Sequence, residues 1–557
     1  MNSRARIAFL ITALVLSVLL FDLFHMIAGQ SPFCWDEAHH STYGLLIARS
    51  LGAGDLGSFW RQTHAQTYWP FLHSWVSAPF LLAGGYTYAS ARAASAFLGA
   101  AALILVYLLG KKVAGRMAGV TGLILLALSP MYHVLSSTAM LENLGMVLNL
   151  TALLVLLKAW ELNSPARAAA AGMTAAGLFL SKYIYGAFFG AALVAFLLSL
   201  LFWKTKDLEA RQAWKSIPWV AGGFLLIWGL WILFPPTEPK LRMLFYRIGD
   251  TGGWNPFGYT REENLLFFLR ALYYAYAFSP AAFILYLGGI AVGASGWKDS
   301  RQRILLIFFL VNFVPMSAIV NSQERFIYLA FGPLVVLAGS AWSRAWKTWK
   351  PPGRWLGLGL LLLLAAGDAH KFPAFYRQCA NAVLSVNLHR DQLRLDYSTF
   401  FGMGEVPAFL RYSRNYFNPG SREKTTTDTG EIVAYVLSAT DPRYPLCAPV
   451  PIGTLSPHLW HWHALLANRP IATSWNPNCA YFVLLEVEKS SPYNRLGNRH
   501  LVAGSRKWAA YFRRLAEAGL LREAAAKKWP EAGLGVRIFL RSAGPGHPGW
   551  KAVGAPP

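Results

Sequence analysis

Residues 34 to 40 read Cys34-Trp35-Asp36-Glu37-Ala38-His39-His40, two adjacent carboxylates and two histidines placed a few residues beyond the first long apolar run. Carboxylates at that position can accept a proton from a hydroxyl, and histidines beside them can bond to substrate or to the acids. An acidic pair alone in a loop is as a rule solvated charge. Further residues follow in order: Tyr43-Gly44, Ala48-Arg49, Tyr68-Trp69-Pro70, and Ala91-Arg92 at the head of an apolar stretch ending Gly110-Lys111-Lys112. Gly115-Arg116, Ser129-Pro130 and Glu142 complete the series.

The elements that must position these residues lie in a membrane. With 55% hydrophobic and 14% charged residues in 557, and with the apolar residues gathered in blocks, the chain reads as polytopic. The net charge of +24 lies largely in short loops between apolar runs, the positive-inside pattern, and so excludes a nucleic-acid partner. Arg4 and Arg6 precede the run from Ile7 to Ile27, read as an uncleaved first helix with a cytoplasmic N-terminus.

Hydropathy and basic loops predict roughly eleven crossings. After the first come helices at about 91 to 110, 117 to 129, and one descending to Lys158. From Ala168 to Trp203 the apolar stretch is too long for one crossing, so two short helices with external Lys182 between them are expected. Helices at 216–234, 280–296, 304–320, 326–342 and 355–367 follow. Two large external loops, 29–90 and 235–280, separate them, with interfacial helices around Leu45-Leu46-Ile47, Trp75-Val76 and Leu265 to Phe278. The turn-rich stretch Asp250 to Pro256 lies in the second loop.

Residues 1–368 are thus read as a transmembrane module and 369–557 as a soluble α/β domain, an α/β sandwich on the external, periplasmic face. Its expected strands are Ile432–Leu437, Tyr481–Val487 and Val536–Leu540, with an amphipathic helix from Trp508 to Ala526.

The order of these residues resembles the integral-membrane GT-C glycosyltransferases, in the clan of the protein O-mannosyltransferases and the bacterial lipid A aminoarabinose transferases. The resemblance covers roughly the first two hundred residues and returns at Glu324-Arg325-Phe326. The D-E-A-H-H run is similar to the mannosyltransferase D-E-x-H pattern, which carries onto Asp36, Glu37 and His39. Unlike in the eukaryotic mannosyltransferases, no soluble domain interrupts the hydrophobic region.

The resemblance implies a polytopic α-helical protein of the inner membrane. It would transfer a sugar from a polyprenyl-phosphate donor to an envelope glycan, lipid or protein hydroxyl on the outer face. Asp36 matches the catalytic aspartate and would serve as the base. Glu37 is either a second catalytic carboxylate, the holder of Arg49 or Arg92, or a solvated charge at a helix start. Glu142 matches a second acidic position, with helix capping as the alternative. Lys182 and Arg325 match clan positions and would bind the donor phosphate, although lone cations at membrane ends ordinarily snorkel to lipid headgroups. Arg92 and His39 are expected around the substrate, and Tyr68, Trp69 and Trp254 could stack on a sugar, although interface belts are rich in these residues. No cofactor is expected beyond the lipid-linked donor. His39 and His40 do not fix a metal geometry by themselves, and a divalent metal stays as an alternative.

Trp460-His461-Trp462-His463 either shapes an acceptor site or is a helix packed on the membrane. A secondary transporter or flippase is the competing class, but it would put polar groups at the bilayer midplane, and here the informative charges fall at helix ends and in loops. A non-catalytic assembly subunit is the third. Crossing parity places Cys34, Cys379, Cys447 and Cys479 outside, with Cys447 and Cys479 as the expected disulfide and Cys34 either free or bonded to Cys379.

Overall fold

The computed structural model describes residues 3–28, 33, 35–203, 208–249, 267–318 and 324–359, and, in the tail, 429–448, 457–487, 499–530 and 534–544, less a few single positions or short gaps. The expected boundary at 368/369, Cys34, Cys379 and the Asp250 to Pro256 stretch with Trp254 lie outside the described residues.

The first helix, α1 (Ser3–Ala28), is followed by three short helices, α2 (Trp35–Gly52), α3 (Leu56–Ala65) and α4 (Leu72–Gly84), where the first loop was expected. Next come α5 (Tyr88–Ala114), α6 (Arg116–Ala127), α7 (Pro130–Ser136) and α8 (Glu142–Glu161). Thr87 caps α5 by accepting from the Ser90 amide at 3.1 Å, which closes one of the helix's unpaired donors. Gly115, at φ +93°, ends α5 and turns the chain straight back into α6. The returning helix crosses at contact distance: a Cβ on Gly110 would lie 2.7 Å from the Gly119 Cα, so only glycine permits the approach. Ser129-Pro130 breaks the span as expected, with α6 and α7 meeting at 68°. The break is tied to α1 by His133, whose Nδ1 lies 2.8 Å from Asp22 Oδ1 and whose Nε2 lies 2.7 Å from the Ala127 carbonyl.

The long apolar stretch after residue 165 is two helices, α9 (Pro165–Ser181) and α10 (Tyr183–Phe202), with Lys182 alone between them in extended conformation (φ −159°, ψ 122°). The remaining helices of this part are α11 (Leu208–Leu233), α12 (Thr237–Gly249), α13 (Pro280–Ser295), α14 (Ser300–Phe313) and α15 (Tyr328–Thr348), the last entered through a 3-10 turn, Glu324–Ile327. Within the expected interfacial helix 265–278, a π-helical turn spans Leu272–Tyr276.

Five helices among the described residues are long and apolar enough to cross a membrane, or six if the bent α6–α7 pair is one span. That is fewer than the eleven expected: α9 and α14 are 17 and 14 residues long, and the apolar parts of α1 and α13 are also short. The span made by α15 is the most enclosed, with Leu334 to Ala338 all fully buried against α5, α6 and α13.

In the tail, α16 (Thr429–Ser438), α17 (Pro457–Leu466) and α18 (Arg499–Glu517) accompany five strands, β1 (Leu446–Cys447), β2 (Ile471–Ala472), β3 (Tyr481–Val487), β4 (Leu521–Trp529) and β5 (Leu534–Arg541). The sheet order is β2-β1-β3-β5-β4, parallel around β1 and antiparallel from β3 onward. The strands expected at Tyr481–Val487 and Val536–Leu540 are present. Ile432–Leu437 is helical instead: its β-branched residues suggest a strand, but Ile432, Val433 and Val436 bury one helical face. The helix expected to reach Ala526 stops at Glu517. Gly519 at φ +69° closes it with bonds from Gly519 N to Ala516 O and Leu520 N to Leu515 O, and Leu521 starts β4. Cys447 and Cys479 are disulfide-bonded, their Cα atoms 5.8 Å apart.

Candidate active site

Asp36 and Glu37 occupy the first turn of α2, where the helix dipole favours negative charge. The two acids diverge, since neighbours on a helix project about 100° apart. Asp36 shares its face with His39 and His40, three and four residues on.

Glu37 is fully buried and faces inward. Arg92 of α5, also fully buried, donates through Nε to Glu37 Oε1 at 2.6 Å and through Nη2 to Oε2 at 3.2 Å. The Ala139 amide adds a third bond, at 2.9 Å. The guanidinium lies 5.2 Å from the Phe33 ring centre and 5.9 Å from that of Tyr88. Of the roles read for Glu37, holding Arg92 is the one its contacts match. Arg49 instead reaches Asn468 of the tail at 3.2 Å and lies over Tyr86.

Asp36 faces a second cluster. Arg325, from the turn before α15, donates through Nη2 to Asp36 Oδ2, while its Nη1 lies 3.7 Å from Glu142 Oε1 and 3.8 Å from Met140 Sδ. Lys182 reaches the same Glu142 oxygen at 3.6 Å, and Tyr185 donates to it at 3.2 Å. Glu142 Oε2 is buried and meets no hydrogen-bond donor among the described residues. Lys182 also lies 5.1 Å from the Trp69 ring centre. Asp36, Glu142, Lys182, Arg325 and Trp69, drawn from α2, α8, the α9–α10 break, the turn before α15 and the loop before α4, therefore converge. The side chain of Asp36 is 30% exposed against 1% for Glu142, so of the two carboxylates it is the accessible one. Ala139 and Met140, adjacent in the chain, touch the two clusters in turn.

Burial pushes the Asp36 carboxyl up, but Arg325, with Lys182 and His39, more than offsets this and holds it below the usual value. His39 packs edge-on against His40, Tyr43 and Tyr68, and Tyr68 is 40% exposed. His40 sits 5.4 Å, ring to ring, from His73 of α4. Burial, with His73 and the cations nearby, drives His40 well below its ordinary value, and burial takes His73 to about 4, so both rings are neutral near pH 7. Among the described residues no three His, Cys, Asp or Glu side chains come together in a group fit to hold a metal, and both outer carboxylates are already engaged by cations.

Sequence reasoning did not single out Tyr185, Met140 or His73. Tyr185 stands three residues after Lys182 and so returns to its side of α10, a spacing signal that was there to be read; Met140 and His73 carry no such signal. The tail also reaches this region. Trp462 of α17 packs edge-on against Phe33 at 5.0 Å, and His463 Nε2 lies 2.7 Å from the Tyr88 hydroxyl, whereas Trp460 is buried in the tail's own core.

Residues 69–231 match the family model described as dolichyl-phosphate-mannose-protein mannosyltransferase, a span holding Trp69, Arg92, Glu142 and Lys182 but neither Asp36 nor Arg325. No curated protein matches the sequence. Among solved structures, ArnT from Cupriavidus metallidurans bound to undecaprenyl phosphate is similar at a TM-score of 0.57 and 15% identity, over 95% of this chain and 97% of that one. Its apo state matches at 0.57 and 16%, over 96% and 98%. The apo oligosaccharyltransferase of Archaeoglobus fulgidus matches at 0.51 and 13%, over 89% of this chain and 72% of that one. The resemblance to the GT-C clan read from the sequence is thereby borne out, at the level of the fold and of the mannosyltransferase-like segment.

Proposed function

We propose that this protein transfers a sugar from a polyprenyl-phosphate donor to a hydroxyl of a cell-envelope acceptor, on the outer face of the inner membrane. The observation that carries the reading is the convergence of Asp36 and Glu142 with Lys182 and Arg325 beside Trp69. Two fixed cations suit a phosphate, a partly exposed ionised carboxylate suits a base, and an indole suits a sugar face.

In this reading the acceptor oxygen bonds to the anomeric carbon as the bond from that carbon to the phosphate oxygen breaks. Asp36 takes the hydroxyl proton, and the departing phosphate keeps the bonding electrons and is stabilised by Arg325 and Lys182. Glu142 Oε2, buried and without a donor among the described residues, offers an acceptor for a sugar hydroxyl. His40, held neutral by burial, and His39, on the Asp36 face, supply further hydroxyl contacts. Tyr68, 40% exposed, stands beside His39 and Trp69. Glu37 and Arg92 act by fixing the start of α2, and so the direction of Asp36. A cytoplasmic N-terminus and a periplasmic tail fit the disulfide, which an oxidising compartment maintains.

The test is a transfer assay with purified full-length protein and a polyprenyl-phosphate sugar, scored as release of polyprenyl phosphate with and without envelope glycan, lipid or protein acceptors. Donor binding with no release under any acceptor would favour a carrier or an assembly subunit and sink the transferase reading.

A further inference from the structure

The second cluster holds two cations against two carboxylates, so its charges cancel as it stands. A phosphate entering it brings at least one further negative charge and needs donors that are already engaged. Lys182 has Glu142, which is buried and further held by Tyr185. Arg325 is shared: one terminal nitrogen serves Asp36, the other faces Glu142 and Met140. Its place is fixed by the turn Glu324–Ile327 and by the Phe326 ring, 5.5 Å from the guanidinium carbon. Of the carboxylates it touches, only Asp36 has the exposure to be rehydrated or to meet a substrate if it is let go.

We infer that Arg325 is exchanged between Asp36 and the donor phosphate: it restrains the carboxylate in the free protein and passes to the phosphate when the donor is seated. The base is thus released only in the loaded site. Without the donor, the guanidinium neutralises Asp36 and occupies one of its two oxygens, Oδ2. With the donor bound, a phosphate matches the planar fork of the same group, and Asp36 is left facing the acceptor hydroxyl. The inference rests on the transferase reading, and it adds a competition that the reading does not require: Asp36 and phosphate contend for one cation.

Competition has a signature that simple electrostatics at a binding site shares only in part. Asp36→Asn should bind the donor phosphate more tightly than the wild type, and the gain should depend on Arg325. The experiment measures equilibrium binding of undecaprenyl phosphate to purified full-length protein in nanodiscs, for wild type, Asp36→Asn, Arg325→Ala and the double variant, with Asp36→Ser as a second neutral substitution. About tenfold tighter binding in Asp36→Asn is expected, weaker binding in Arg325→Ala, and in the double variant the affinity of Arg325→Ala alone. Tightening that persists in the double variant marks general repulsion by Asp36 and overturns the exchange. Unchanged or weaker binding in both Asp36 variants, together with lost turnover, also overturns it while leaving Asp36 as the base. Failure of the wild type to bind the probe overturns the donor reading and the exchange together.

Discussion

Tyr88 and His463 stand 375 positions apart in the chain and share a hydrogen bond of 2.7 Å. Tyr88 is also one of the two rings that enclose Arg92, and Trp462, one residue before His463, packs on the other, Phe33. The tail thus bears on the first turn of α2 through Phe33, Tyr88, Arg92 and Glu37. Trp462→Ala removes a buried indole, a loss of about 3–5 kcal/mol where the site does not collapse. Faster hydrogen exchange in α17 and reduced turnover with little change in donor KM are the expected results. His463→Gln, which can still bond to Tyr88, should keep most activity, and equal damage from both substitutions would show that bulk, not this contact, matters.

Asp36→Asn keeps the shape of the side chain and removes the base. Turnover should fall by roughly 10²–10⁴-fold, the usual loss for a positioned general base. Glu37→Gln is expected to act differently: it leaves Arg92 buried without a counter-charge, so the loss should appear first in thermal stability. Near-normal turnover in Asp36→Asn would remove Asp36 from the mechanism.

Lys182→Ala and Arg325→Ala should each raise the donor KM. A charge-assisted bond contributes about 1.5–3 kcal/mol, which corresponds to roughly ten- to hundredfold in apparent affinity. Arg325→Lys should recover part of the loss only, because an ammonium keeps the charge without the planar fork. Lower protein yield with unchanged donor dependence would make both cations structural.

The acid limb of activity should follow Asp36. Burial pushes its carboxyl up, but the Arg325 guanidinium outweighs this and holds it below the usual carboxylate range. The ionised form, and the stability gained from its pairing, are therefore present above the unfolded value and lost as pH falls through the lower folded value. In the wild type kcat/KM should persist to lower pH than an ordinary carboxylate base allows, and Arg325→Ala should move the limb upward, since burial then acts with less opposition. A limb that stays in place in that variant would assign the titration to another group.

Much of this site was legible because its residues sit where helices break. Lys182 between two apolar halves, Ser129-Pro130 and the acidic pair after the first helix are local signals, and each marks a break or helix start in the fold. Spacing alone could not reveal pairings across the chain: Glu37 with Arg92 is 55 residues apart and Asp36 with Arg325 is 289. The strand misread at Ile432 has a different cause, since β-branched residues on a helix bury as readily as on a strand once a sheet lies beneath them. Five or six of the roughly eleven expected crossings meet the length of a full span among the described residues, because hydropathy does not separate a 14-residue helix such as α14 from a longer one, and the expected helix 355–367 lies partly outside those residues.

The bond between Cys447 and Cys479 joins β1 to the residues just before β3, adjacent strands of the tail sheet, across a sequence separation of 32. A loop of that size, closed in the unfolded chain, is worth about 3–4 kcal/mol on the chain-entropy account. Both sulfurs lie in the core with Phe482 and Trp460, so Cys479→Ser also puts a hydroxyl into apolar surroundings. The variant should lose tail stability by at least that amount, read as earlier proteolysis of the tail or a lower melting transition for full-length protein. Because α17 belongs to the same tail and packs on α2, turnover should fall at temperatures where the tail loosens but the helical part persists. Thiol labelling supplies the control. Cys447 and Cys479 should resist alkylation in the unreduced, denatured protein and label after reduction. Labelling of both without reductant would mean that they are thiols in the cell, which would remove the oxidising-compartment argument for a periplasmic tail.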